Sequence, residues 1–318
     1  MFSGITKLQL TMIFTTVLVF GVVGGILAVL LLYMGVSGYA GILIWLIFSL
    51  FMIGLQWYLG PIIIVWVTGA KELGENQLPW LHRMVEDLSK EANIPKPKLY
   101  VVEDSSPNAF AFGRTQGSSA IAVHTGLLRM LDEDEVRAVV AHEIGHIKHR
   151  DVLVMTVASV LPVLLYYMVI IFGGSRDRER SAGSYILVFL GAIIAQFLGQ
   201  LLVMWLSRVR EYYADAFSAY ATKQPVSLMR ALAKITYRHA LSPSSSSSPV
   251  NAFYIADPSS GSAHIAAMAR ALELGNDELL SEAIEKEKKM GAIELFSTHP
   301  LTANRLEALM KIKKEIGA

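Results

Sequence analysis

Residues 132–151 read DEDEVRAVVAHEIGHIKHRD, and this stretch carries the strongest structural signal in the chain. Asp132 can cap a helix, because its side-chain oxygen can accept a hydrogen bond from a free N–H of the first turn. Three acidic residues follow it, and Lys148, His149 and Arg150 come near the end, so the charges match the helix dipole at both ends. The segment therefore predicts a helix that begins after Asp132 and ends near Arg150.

The predicted helix carries two histidines, His142 and His146, four positions apart. Residues at this spacing share one helix face about 6 Å apart along the axis, so both imidazoles can bind one tetrahedral zinc ion. Glu143 stands beside the first histidine, where its carboxylate can act as a general base on a water molecule. The alternative is an amphipathic helix whose histidines fall four apart by chance. A metzincin site is excluded, because its glycine and third histidine would stand where His149 and Val152 are found.

A catalytic zinc site needs a third protein ligand and an open position for water. The chain has no cysteine, so histidine, aspartate and glutamate are the available ligand types. Glu211 and Asp215 lie one helical turn apart in a second predicted helix, from about Arg208 to Lys223. We expect Glu211 to bind the metal and Asp215 to accept a hydrogen bond from a zinc-bound histidine. Alternatively, these acids form a surface salt-bridge stripe with Arg208 and Arg210.

The composition is typical of a membrane protein. Hydrophobic residues make up 53% of the 318 residues, above the ~45–50% of soluble proteins, and the net charge of +1 argues against nucleic acid as a partner. The excess comes from four long apolar segments, at about 10–34, 41–68, 152–172 and 185–206. Each is as long as a membrane-spanning helix, which needs ~20 residues. We therefore expect two hairpins in the lipid bilayer, although the second pair could instead be long interior or interfacial helices.

The apolar pairs divide the chain into four parts. These are a transmembrane hairpin at 1–70, the first part of a catalytic domain at 71–151, a second hairpin at 152–206, and the rest of the catalytic domain at 207–318. Short strands are predicted at 99–102, 109–112 and 120–123. Helical patterns surround them, so the predicted fold class is α+β and mainly helical, with four transmembrane helices. If both segments of the second hairpin span, the chain returns to the side it left, and Glu211 can meet His142.

Four motifs occur together along the chain: Pro107–Gly113 (PNAFAFG), His142–His146 (HEIGH), Glu211–Phe217 (EYYADAF), and His299-Pro300 with Arg305. In their order, and together with the four apolar segments and the chain length, they resemble the HtpX family of membrane zinc metalloproteases and, more distantly, the CAAX prenyl endoproteases. The resemblance implies a zincin-like catalytic domain of the gluzincin type that binds one Zn²⁺ per subunit. His142, His146 and Glu211 would be the metal ligands, and Glu143 would be the base.

Further roles follow from the same resemblance. Asp215 would support His142, while His299 and Arg305 would approach the scissile carbonyl and stabilise its oxyanion. A strand edge would hold the substrate backbone, at Asn108, Ala109, Phe110 and Ala111. The alternative for Arg305 is packing around the C-terminal helix. The family also implies a protease of the cell (plasma) membrane with a cytosolic catalytic domain, which degrades unfolded or misfolded membrane proteins in stress-related quality control.

Two other functions are compatible with parts of the sequence. An intramembrane zinc protease would place the histidine motif inside an apolar span, whereas charged residues at 132–135 and 148–151 bracket it here. A zinc-binding membrane scaffold would need a closed site of four protein ligands, and the sequence offers three good ones. The arginine-rich loop 176–180 would lie outside the cytosol, against the positive-inside tendency. Either the second hairpin crosses incompletely or the first hairpin dominates the orientation.

Overall fold

The computed structural model describes residues 39–174, 182–241, 262–288 and 297–317, and helices form most of them. In chain order the helices are α1 Tyr39–Thr68, α2 Pro79–Ala92, α3 Thr125–Met130, α4 Glu133–Lys148, α5 Asp151–Ala158, α6 Val160–Gly174, α7 Ala182–Thr222, α8 Pro225–Leu241, α9 Ser262–Glu273, α10 Asp277–Lys288 and α11 Thr302–Ile316. The mainly helical fold class is therefore confirmed.

A small mixed sheet accompanies the helices. Its strands are β1 Lys71–Glu72, β2 Lys98–Val102, β3 Ala109–Gly113 and β4 Ser119–His124. The order is β1-β2-β4-β3, in which β2 and β4 run parallel and the two outer pairs are antiparallel. The last three strands lie where the sequence predicts them, whereas β1 is too short to leave a pattern. In the described sheet β3 is an outer strand, and it packs against α4.

The first turn of α4 is fixed by a reciprocal pair of hydrogen bonds. The Asp132 side chain accepts from the backbone N–H of Glu135 at 2.8 Å, and the Glu135 carboxylate accepts from the N–H of Asp132 at 3.1 Å. Lys234 of α8 also donates to Glu135 at 2.6 Å. The predicted cap at Asp132 is confirmed, and two otherwise free donors of the helix are satisfied.

Helix α4 lies in the core of one of two compact units, which comprises 59–154 and 206–318 within the described ranges. Its residues Val139, Val140 and Ile144 are fully buried. The helix packs against α2, α8 and β3, so apolar contacts surround it on several sides. This burial keeps His142 and Glu143, in the C-terminal half of the helix, away from water.

Three helical segments in the described part of the chain are long and apolar enough to cross a membrane: Ala40–Thr68, Asp151–Gly173 and Ile186–Thr222. They include three of the four predicted spans, while the segment 10–34 falls outside the described residues. Large apolar side chains are exposed along them, such as Trp66 and Phe172. Exposure of this kind suits surroundings of lipid rather than water.

The apolar helices differ from the sequence prediction in two details. A single residue, Ser159, interrupts the predicted span 152–172, because Pro162 lacks the N–H that would continue the helical ladder there. The helix predicted from about Arg208 to Lys223 is present and ends at Thr222, but it does not begin at Arg208, since α7 runs without a break from the apolar segment. The change from apolar to polar composition does not end this helix, because no proline or glycine lies between Leu206 and Asp215.

Candidate metal centre

Three side chains from two helices converge inside the unit formed by 59–154 and 206–318. His142 and His146 come from α4, and Glu211 comes from α7. The Nε2 atoms of the two histidines are 3.1 Å apart; Oε2 of Glu211 lies 3.6 Å from that of His142, and Oε1 of Glu211 lies 3.6 Å from that of His146. One ligand-type atom from each of the three residues lies within 4.8 Å of the others. The structure thus brings together the three residues that the sequence suggests as metal ligands.

The separations between these atoms suit a metal ion. Tetrahedral zinc, with Zn–N distances of ~2.0–2.1 Å, places two ligand nitrogens about 3.3 Å apart. The observed Nε2–Nε2 distance of 3.1 Å is close to that value. Two unprotonated nitrogens facing each other at this distance repel, unless a cation lies between them. Two imidazoles and a carboxylate are also a common donor set for catalytic zinc, so the residues fit the ion.

The second ring nitrogen of each histidine faces an aspartate. His142 Nδ1 lies 3.0 Å from Asp215 Oδ1, and His146 Nδ1 lies 2.6 Å from Asp151 Oδ2. An ionised carboxylate can only accept, so each contact favours the tautomer with the proton on Nδ1, in which Nε2 of a neutral imidazole keeps the lone pair that can bind a metal. The sequence suggests the Asp215 contact. It does not suggest the Asp151 contact, because a spacing of five residues is outside the i+3 and i+4 pattern of a helix.

Burial affects the protonation of two residues of α4. His142 is 1% exposed, and burial lowers its pKa, although Asp215 acts in the opposite direction. Glu143 is 4% exposed, and burial raises its pKa to about 7, against the opposing charge of His146. A neutral imidazole is the form that binds a metal, and a carboxyl group with a pKa near 7 can accept and release a proton near neutral pH.

Glu143 also connects α4 to the sheet. Its Oε2 atom accepts a hydrogen bond of 2.7 Å from the backbone N–H of Ala111 in β3. The carboxylate therefore lies between the histidine helix and the outer strand. This is the position that a base acting on a strand-bound peptide would need.

Arg305 of α11 is buried behind two acids of the site. Its Nε and Nη2 atoms donate to the two carboxylate oxygens of Asp215 at 2.8 and 2.6 Å, and Nη1 lies 3.2 Å from Glu211. Burial acts to lower the pKa of Arg305, but Asp215 and Glu211 raise it above its usual value, so the guanidinium stays charged. These contacts hold both acids in place, and the role of Arg305 at the oxyanion stays a prediction.

His299 lies at the edge of the same group. Its Nδ1 atom is 3.4 Å from a carboxylate oxygen of Glu211, and its side chain is 18% exposed. The backbone N–H of His299 donates to Ser297 Oγ, while the Ser297 carbonyl accepts from Arg208 of α7 at 2.7 Å. Helix α7 therefore supplies Glu211 and also anchors the segment that carries His299.

The residues suggested for substrate binding lie in or next to β3. The Asn108 carbonyl accepts from the backbone N–H of His124 in β4 at 2.9 Å, so by alternation the N–H groups of Ala109 and Ala111 face away from β4. The side chains of Asn108, Ala109 and Phe110 are buried, and that of Ala111 is half-buried. A peptide beside this strand would therefore contact mainly its backbone.

Comparison with known proteins places the chain in a family. The pattern of peptidase family M48 matches residues 75–313. The chain is 42% identical over 232 residues to a protein named protease HtpX homolog from Methanothermobacter thermautotrophicus, covering 73% of this chain and 87% of that one. It is 35% identical over 293 residues to the protease HtpX homolog of Aquifex aeolicus, covering 89% and 87%. The crystal structure of S. mikatae Ste24p has a similar fold, with a TM-score of 0.52 and 19% identity over 96% of this chain and 67% of that chain.

Proposed function

The chain belongs to peptidase family M48, and we propose that it is a zinc-dependent endopeptidase that hydrolyses peptide bonds at the cytosolic face of the plasma membrane. Family membership and the apolar helices make it a membrane metalloprotease. The observation that carries the finer proposal is the convergence of His142, His146 and Glu211, with the carboxylate of Glu143 buried beside them.

One Zn²⁺ held by His142, His146 and Glu211 would polarise the scissile carbonyl and make water a better nucleophile. Glu143 accepts a proton from the attacking water while the water oxygen bonds to the carbonyl carbon. The protonated Glu143 then gives its proton to the amide nitrogen as the C–N bond breaks. A pKa of about 7 suits a group that must act first as base and then as acid.

Other residues would orient the reactants. His299, whose side chain is 18% exposed, can donate a hydrogen bond to the oxygen on which negative charge develops. Arg305 contributes positive charge behind Glu211 and keeps that ligand and Asp215 aligned. The backbone of β3 near Ala111 would bind the substrate as an added strand.

Binding of the substrate as an added strand requires an extended peptide, so the expected substrates are unfolded or misfolded segments. The apolar helices keep the enzyme in the membrane, where damaged membrane proteins expose such segments. This supports a role in quality control of membrane proteins. The same reasoning disfavours folded soluble proteins, whose strands already have hydrogen-bond partners.

Two features weigh against the alternative functions. Charged residues Lys148, Arg150 and Asp151 follow the histidine pair, which argues against a site in the middle of the bilayer. The metal-ligand group found in the described residues has three members, as expected for a catalytic site with an open position rather than for a closed structural site.

Purified protein in detergent provides the test, with unfolded casein as substrate and bound zinc measured in the same samples. We expect stoichiometric zinc and casein cleavage that a chelator removes and added zinc restores. A Glu143→Gln variant purified identically controls for contaminating proteases. Zinc binding without cleavage would favour the scaffold, and cleavage that resists chelation would contradict a metalloprotease.

A further inference from the structure

Helix α4 ends in a sharp turn two residues after its second histidine. His149 caps the helix, and Arg150 adopts a left-handed conformation with φ of 56°. Few residues other than glycine adopt this conformation, so tertiary contacts must hold it. The turn brings Asp151, the first residue of α5, back towards the ring of His146.

Asp151 contacts both an imidazole and a guanidinium. Its Oδ2 atom lies 2.6 Å from His146 Nδ1, and its Oδ1 atom forms an ion pair with Arg210 of α7. The carboxylate is 11% exposed, His146 is 19% exposed and Arg210 is 17% exposed. A carboxylate this enclosed by partners has little freedom to rotate. One of its oxygens contacts the imidazole of His146, and the other contacts the guanidinium of Arg210.

Arg210 connects the turn to the helix that bears the third ligand. Its Nη2 atom donates to the carbonyl of His149 at 2.6 Å, in addition to its ion pair with Asp151. Arg210 directly precedes Glu211 in α7. One side chain therefore binds the end of α4 and the start of α5 from a position next to the third ligand.

The contacts of the two histidines are alike. His142 faces Asp215, which Arg305 holds, and His146 faces Asp151, which Arg210 holds. In both cases an arginine forms an ion pair with the aspartate, and the aspartate faces Nδ1 of the histidine ring. Such partners orient a ligating imidazole and increase its basicity.

We propose that Asp151, held by Arg210, is the positioning residue for His146 and tunes its affinity for the metal. The proposal rests on the proposed function, in which His146 is a metal ligand. Asp151 does not touch the substrate. It acts by keeping the proton of His146 on Nδ1 and by fixing the direction of Nε2. Its position at the start of α5 offers a purely structural alternative, which is favourable interaction with the helix dipole.

The test measures zinc affinity of the purified full-length protein by competition with a chromophoric chelator, without reference to proteolysis. We expect Asp151→Asn and Asp151→Ala to weaken zinc binding about 10–100-fold. Arg210→Ala should also weaken it, and Arg210→Lys should restore part of the loss, since a lysine keeps the charge. The visible absorption spectrum of the Co²⁺-loaded protein should change in the Asp151 variants, because the geometry and basicity of one nitrogen ligand change.

Asp277→Asn is the matched control. Like Asp151, Asp277 is the first residue of a helix, α10, and forms an ion pair with a basic side chain, Lys313, at 3.0 Å. Its substitution should leave zinc affinity and the cobalt spectrum unchanged. Wild-type affinity and an unchanged spectrum in both Asp151 variants would overturn the inference.

Failure of the proposed function would give a different result. A wild-type protein that binds zinc but cleaves nothing would contradict the protease, while the effect of Asp151 on affinity would still hold. If the wild-type protein cleaves casein and the Asp151 variants bind zinc with wild-type affinity, only the inference about Asp151 would be overturned. Absence of zinc binding in the wild type would contradict both.

Discussion

The backbone N–H of Ala111 donates a hydrogen bond to Oε2 of Glu143 at 2.7 Å. This contact joins an outer strand of the sheet to the residue that we propose as the base. The two residues are 32 positions apart, so only the packing of α4 on β3 brings them together. A peptide bound along β3 would therefore run next to the carboxylate and the metal ligands.

Glu143→Gln tests the base. Glutamine keeps an oxygen that can accept from Ala111, so the fold and the zinc ligands should be preserved. It cannot accept the proton of water, and we expect cleavage to fall about 10²–10⁴-fold. Zinc content and casein cleavage should be measured on the same preparation. Full zinc occupancy with undiminished cleavage would exclude Glu143 as the base.

Ala111→Pro tests the strand. Proline removes the one N–H that faces Glu143, and because this group points away from β4, the ladder between β3 and β4 should survive. We expect zinc binding to persist and kcat/KM for casein to fall at least ~5-fold, since the carboxylate of Glu143 loses a hydrogen bond that contributes about 1 kcal/mol. Ala111→Ser keeps the N–H and serves as control. Equal kcat/KM values for wild type and the proline variant would show that the contact between β3 and Glu143 does not contribute to cleavage.

Glu211→Gln and Asp215→Asn should differ in severity. An amide is a much poorer zinc ligand than a carboxylate, so loss of Glu211 should reduce both metal retention and cleavage strongly. Asp215 acts through His142, and its loss should weaken zinc affinity by about 10–100-fold. Chelator competition on both variants gives the ranking. The reverse order would show that Asp215 is the ligand and Glu211 the support.

The parts of the site that lie within one helix could be predicted from the sequence. Asp132 and the charges at both ends predict α4, and the helical repeat places His142 and His146 on one face. The pairing of Arg305 with Asp215 spans 90 positions and leaves no local pattern. Asp151 reaches His146 only through the left-handed turn at Arg150, which no residue preference predicts.

The long-range meeting of Glu211 with the histidines could be inferred only from residue type and topology. The apolar pattern of a helix shows which of its own residues share a face. It does not show which residues of α4 meet which residues of α7. The sequence also does not predict that α7 is continuous, since the composition changes from apolar to polar near Arg208 while the backbone stays helical. Apolar periodicity reports which side of a helix is buried, and in lipid it does not report where the helix ends.

The sidedness of the catalytic domain can be tested by cysteine labelling. Lys7 and Lys71 flank the first apolar pair, and the connection 35–39 has no charge, so the positive-inside rule predicts a cytosolic catalytic domain. The natural chain has no cysteine, so a single cysteine at the exposed Gln77 gives an unambiguous signal. We expect an impermeant maleimide to label it only after cells are opened. A cysteine at Ser37 is the opposite-side control, and labelling of Gln77→Cys in intact cells would reverse the orientation.

Gly145 explains how closely the two ligand-bearing helices can approach. A Cβ added there would lie 3.1 Å from the Ala214 Cα and 3.3 Å from a ring carbon of Phe217. Alanine is the better helix former by about 1 kcal/mol, but crowding of a packed core costs ~1–3 kcal/mol, and backbone atoms of α7 cannot move as a side chain can. We therefore expect Gly145→Ala to lower stability.

The same substitution should weaken zinc binding, because a shift of a few tenths of an ångström between α4 and α7 moves Glu211 relative to both histidines. Thermal unfolding in detergent and chelator competition would measure the two effects. Gly54→Ala is the control, since a Cβ at this helical glycine meets nothing within 4 Å and should cause neither loss. If Gly145→Ala behaved like Gly54→Ala in both measurements, the close approach of the helices at this glycine would not govern the geometry of the metal centre.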